Sequence, residues 1–172
     1  DILHGGAHTM GFLVTAAGLG ALTGAIYLAS RKTIVGMVRL IALASALFGA
    51  GLIAFSLSRF FPFSLTMLYF TGFGMIVQMA SSNTVLQTIV DDDKRGRVMS
   101  FFSMAFIGMA PFGSLLAGSL ASTIGAPYTL MIGGSFCIIG STVFASRLPY
   151  LRLLVRPIYA KKGIIPQVIG ES

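Results

Sequence analysis

The sequence predicts an all-α membrane protein with five spanning helices, and three observations carry that prediction. Of 172 residues, 55% are hydrophobic and 10% are charged, whereas a water-soluble domain carries about 25% charge. The apolar residues form long charge-free runs, and crossing a hydrocarbon core takes about 20 residues at 1.5 Å each. The basic residues gather in alternate loops, the charge bias of multi-pass membrane proteins. Strands are not expected, because barrel strands are about ten residues of alternating polarity and these runs are continuous.

The first span, residues 10–30, is rich in small residues. Ala16, Gly20 and Gly24 recur every fourth position, and Ala17, Ala21 and Ala25 form a second row beside them. In lipid, such smooth faces let helix backbones approach closely. The second span, 38–58, offers in its charge-free part from Leu40 to Ser58 only Ser45, Ser56 and Ser58 as polar groups and reads as scaffold. The third, 63–90, carries the densest polar cluster, Gln78-Met-Ala-Ser-Ser-Asn-Thr-Val-Leu-Gln87. At 100° per residue Gln78, Ser81 and Ser82 share one face, while Asn83, Thr84 and Gln87 lie nearly opposite. Two polar faces cannot both meet lipid. Gln78, Ser81, Ser82, Asn83 and Gln87 are therefore the candidates for a substrate cavity, one face lining it and the other bonding to a neighbouring helix. The competing reading is that both faces make ordinary interhelical hydrogen bonds worth about 0.6 kcal/mol each.

Residues 98–146 form a 49-residue run without a charge. It divides at Ser122-Thr-Ile-Gly-Ala-Pro127, where Gly and Pro mark a turn, giving spans 98–121 and 127–146. The loop Asp91-Asp-Asp-Lys-Arg-Gly-Arg97 opens the fourth helix, with its acids suited to a helix N-terminus and Asp93 spaced to pair with Arg97. Gly108, Pro111, Gly113 and Gly118 mark a flexed segment expected to pack closely. The bundle spans 1–148, and 149–172 form a basic amphipathic tail at the inner membrane surface.

Eleven of the twelve Lys and Arg fall on one side: Arg31, Lys32 and Arg39; Lys94, Arg95 and Arg97; Arg147, Arg152, Arg156, Lys161 and Lys162. Only Arg59 faces the other side, so the first residue is expected outside and the tail in the cytoplasm. The same placement dismisses nucleic acid as the partner of a chain with net charge +7; its basic residues are topology signals beside a lipid bilayer. A single Cys137 excludes a disulfide framework. His4 and His8, four apart, lack further ligands, so no metal and no cofactor are expected. No phosphate loop, nucleophile elbow or zinc-protease motif occurs, and apart from Arg39 at the edge of the second no span contains an Asp, Glu, Lys or Arg; an enzyme is not expected. Asp1 in the initiator position, with no signal segment after it, makes a fragment the expectation.

The run Gly11 to Gly24 leading to Arg31-Lys32, the loop Asp93-Lys-Arg-Gly-Arg-Val-Met-Ser100, the segment Pro111-Phe-Gly113-Ser-Leu-Leu-Ala-Gly118 and the tail motifs Arg156-Pro-Ile-Tyr159 and Gly163-Ile-Ile-Pro166 together carry a resemblance. The chain resembles the C-terminal half of a major facilitator superfamily transporter, in the branch of bacterial enterobactin and macrolide exporters. The resemblance implies the eighth to twelfth helices of a twelve-helix fold in the cell membrane. It implies a proton-coupled antiporter exporting small molecules such as drugs or siderophores by alternating access, with the N-terminal half of the same protein as its partner. It places the third span against the central cavity, and puts Gly20, Gly24, Gly108, Pro111, Gly113 and Gly118 at helix packing surfaces and the interface between halves. The family's Gly-x-x-x-Asp-Arg-x-Gly-Arg-Lys loop persists after the first span only as Gly24 and the Arg31-Lys32 pair, and the loops contribute Asp93, Arg95 and Arg97. The alternative function is a non-transporting scaffold or assembly subunit, with a stable partner covering the glycine faces.

Overall fold

A computed structural model of the chain describes residues 7–31 and 33–163; His4, Lys32 and Pro166 lie outside them. The described residues form six helices and no strand: α1 (Ala7–Ala29), α2 (Met37–Leu57), α3 (Phe61–Ile89), α4 (Asp92–Ile124), α5 (Ala126–Ser146) and α6 (Leu148–Lys161). The first five are long and apolar enough to cross a membrane.

α3 is the centre. It packs against α1 on one side and α2 on the other, and α2 in turn packs against α5. Glycine makes these contacts possible, because helix backbones touch without side chains between them. A Cβ at Gly20 would strike the Tyr69 carbonyl, and one at Gly72 the Ala17 carbonyl, so α1 and α3 lock at both positions. At the α2–α3 seam a Cβ on Gly74 would lie 2.8 Å from the Ala44 oxygen. Between α2 and α5, Gly49 and Gly134 face each other, each placing its Cβ site 2.7 Å from the other's carbonyl oxygen.

Among the described residues, two side-chain bonds cross between spanning helices. The Thr23 Oγ1 and Tyr69 OH groups share a hydrogen bond of 2.8 Å between α1 and α3. Ser141 Oγ donates to the Ala42 carbonyl at 2.7 Å, tying α5 to α2.

α4 differs from its expected extent. It begins at Asp92 and runs unbroken through Pro111 to Ile124, where the sequence suggested 98–121. Its 33 residues reach about 50 Å at 1.5 Å each, beyond the ~30 Å hydrocarbon core, so charged turns extend past the apolar part. The acids occupy the N-terminus, with Asp91 at the capping position and Asp92 and Asp93 in the first turn, but Asp91 makes no side-chain cap bond. The expected pair of Asp93 with Arg97 is replaced by Asp92 with Arg95, since i,i+3 side chains are neighbours on a helix as well as i,i+4. Gly125, with φ of 89°, makes the turn to α5 in one residue, a conformation an L side chain rarely adopts. Pro127 then sits in the first turn of α5, where its missing N–H costs nothing.

α6 follows α5 after Arg147 alone. Val155 and Tyr159, four residues apart, turn inward and are buried, while Leu153 and Leu154 are exposed, as are Arg152 and Arg156. Lys162 reaches back to donate a hydrogen bond of 2.9 Å to the Val90 carbonyl at the end of α3.

Candidate functional site

The polar cluster of α3 separates into three environments. Ser81 is fully buried, and its hydroxyl has no partner among the described residues. It lies behind the wall, sealed by the chain's own helices, and so cannot touch a ligand in this arrangement. Gln78, Ser82 and Asn83 are half-buried and Gln87 is exposed. Gln87 Nε2 donates to Asn83 Oδ1 at 2.8 Å, and Thr84 Oγ1 bonds the Ala80 carbonyl of its own helix. The bonds to a neighbouring helix expected of that face are thus made within α3, because i,i+4 spacing lets the two amides satisfy each other.

In the second half of α3 the exposed residues are Met75, Met79 and Gln87, and half-buried Ser82 and Leu86 continue the two methionines as a stripe at spacing 4, 3, 4. Met75 and Met79 are 49% and 39% exposed, with Gln78 on one flank and Asn83 on the other. Sequence reasoning passed over these methionines, because Met at helical spacing in a membrane span reads as ordinary apolar surface. The signal was their register with the polar residues. Unbranched, polarizable thioethers adapt to varied apolar shapes, and the flanking amides supply hydrogen bonds. The stripe is thus an adaptable apolar wall with a few fixed polar points, the composition of small-molecule sites.

The packing surfaces divide sharply. Gly20 and Gly24 are buried against α3, so within this chain that face is already occupied. A Cβ added at Gly108, Gly113 or Gly118 would meet nothing within 4 Å, and no residue of α4 is buried. Pro111 is exposed on the same helix. Arg31 is half-buried and Arg95, Arg97 and Asp93 are exposed. A groove of about 710 Å³ lies between the end of α4 and α5, lined by Tyr128, Met131, Phe136 and Ile139 among others. It is larger than the cleft beside α3, of about 390 Å³, but lacks converging polar groups, so it is the weaker site candidate.

Among the described residues no three His, Cys, Asp or Glu side chains converge as metal ligands. The middle of the bundle holds hydroxyls, amides and thioethers. Such groups can bind and orient a ligand.

Residues 1–154 match the family described as transmembrane secretion effector, of the major facilitator type. The chain belongs to that family. Comparison with curated proteins and with solved structures gave no match. Membership and five apolar helices together make this chain a multi-pass membrane protein of a transporter family. The family points away from enzymatic chemistry.

Proposed function

We propose that this secretion effector chain is the C-terminal half of a secondary exporter, its five spans being the eighth to twelfth of twelve. The observation that carries the reading is the stripe of exposed Met75 and Met79 with half-buried Ser82, flanked by Gln78 and Asn83, on a helix held between α1 and α2. A wall of that composition suits amphipathic small molecules such as drugs or siderophores. Backbone-to-backbone packing of α1, α2 and α3 favours their moving as one body, as alternating access by rocking halves requires. α4, with both its apolar face and its glycines uncovered, would meet the N-terminal half.

An ion gradient, most simply of protons, would drive the cycle. No acid lies in the apolar spans of this chain, so the coupling carboxylates belong to the other half or to the seventh helix. The basic loops favour an orientation with the C-terminus in the cytoplasm of a bacterial cell.

The test is export by the full-length protein in cells challenged with a panel of amphipathic compounds. Gln78→Ala and Met79→Ala should each change the exported range or lower resistance severalfold. Ser45→Ala, on the scaffold helix α2, should leave it unchanged. Equal effects of all three would overturn the assignment of α3 to the cavity.

A further inference from the structure

A second opening lies at the other side of α3. There the last turn of α1, the α1–α2 loop and the second half of α3 enclose a cleft of about 390 Å³. Its lining is mostly apolar, with Leu28, Met37, Ile76 and Ala80, and its polar members are Arg31, Thr33 and Thr84. Arg31 lies two residues beyond the end of α1, its backbone N–H bonded to the Leu28 carbonyl, and it lines the cleft where the apolar span stops.

Charge and shape at the cleft agree with each other. Arg31 is half-buried and has no carboxylate partner among the described residues, where the only ion pair is Arg95 with Asp92. From Ser30 to Leu40 the sequence supplies Arg31, Lys32 and Arg39 and no acid. A cation at an interface with an apolar slot beneath it matches a ligand with an anionic head and a hydrocarbon tail. Free phosphate would leave the slot unused. Basic recesses between helices at a membrane face are where acidic headgroups bind.

We propose that the cleft between α1 and α3 is a binding site for an anionic phospholipid, with its phosphate on Arg31 and an acyl chain between Leu28, Ile76 and Ala80. The site is separate from the Met75 and Met79 stripe and does not depend on what is transported or in which direction.

Native mass spectrometry of the full-length protein, in detergent with equal phosphatidylglycerol and phosphatidylcholine, tests it. The wild type should retain phosphatidylglycerol preferentially. Arg31→Gln should lower that preference about fivefold, the worth of one basic side chain at an anionic surface, and Arg31→Lys should restore most of it. Ala80→Phe, which fills the slot and keeps the charge, should reduce retention of both lipids. Soluble glycerol phosphate should not compete. Equal retention of the two lipids by the wild type would overturn the proposal, as would an unchanged preference in Arg31→Gln. Competition by glycerol phosphate would show a headgroup site without an acyl slot and overturn it equally. Because Arg31 lies outside the packed core, the Arg31→Gln result stands even if Ala80→Phe fails to fold.

Discussion

The block formed by α1, α2, α3 and α5 and the helix α4 use the same small residues to opposite effect. In the block Gly20, Gly72, Gly74, Gly49 and Gly134 each abut a neighbouring backbone or side chain, and a Cβ there would collide. In α4, Gly96, Gly108, Gly113 and Gly118 meet nothing within 4 Å. A small-residue pattern therefore specifies a surface capable of close approach. It does not specify which surface comes to meet it, because the pattern records one side of a contact only.

The sharpest break of this contrast is Gly20→Val. The added side chain meets the Tyr69 backbone, which cannot swing aside as a flexible side chain would, and the expected cost is about 3 kcal/mol or more. Thermal unfolding of the detergent-solubilised full-length protein should show it as loss of the folded peak. The matched change in α4, Gly118→Val, should cost less than about 0.5 kcal/mol if nothing covers the helix. A loss as large as that of Gly20→Val would show that another part of the protein packs on α4.

Tyr159 offers an effect of intermediate size in α6. Its hydroxyl is buried without a partner among the described residues, so Tyr159→Phe should stabilise the fold by about 1 kcal/mol. Burial also pushes the phenol's pKa up. The folded state then holds its proton while the unfolded chain has lost it, so stability is full below about pH 10 and falls as pH rises beyond it. In Tyr159→Phe that part of the alkaline loss should disappear, as equilibrium unfolding between about pH 9 and 11 would show, a window taken from the ordinary tyrosine value of about 10.

Smaller again are the two bonds between spanning helices. Ser141→Ala and Thr23→Val should each cost about 0.6 kcal/mol, and a double-mutant cycle of Thr23→Val with Tyr69→Phe should recover a coupling of that order. Gln87→Ala should be nearly silent, within about 0.5 kcal/mol, because its partner Asn83 lies on the same helix and Gln87 itself is exposed. A large effect of Gln87→Ala would mean that this face of α3 is covered in the full-length protein.

Much of the architecture was legible because charge-free length is a direct consequence of bilayer thickness. The helices α1, α2 and α5 fall within about three residues of the spans read from the sequence. The ends of α4 were not legible, since Asp92 to Arg97 are as compatible with a polar helix turn as with a loop, and only backbone geometry separates the two. The turn at Gly125 was visible from the Gly and Pro around it. Within the α3 cluster, periodicity grouped Ser81 with Gln78 and Ser82. It could not show that the crossing of α1 and α2 over α3 would bury Ser81 and leave Met79 open, since burial depends on where the neighbours cross and not on one helix's own repeat.

The contact of Lys162 with the Val90 carbonyl joins residues 72 apart in sequence, and that separation has a consequence for biogenesis. A chain emerges from the ribosome N-terminus first, so Val90 is laid down well before its partner exists. The link can close only after α4 and α5 have been inserted and α6 has left the ribosome. A nascent chain arrested before Lys162 therefore leaves the end of α3 untied, and a protease would find the α3–α4 elbow less protected than once that bond has closed.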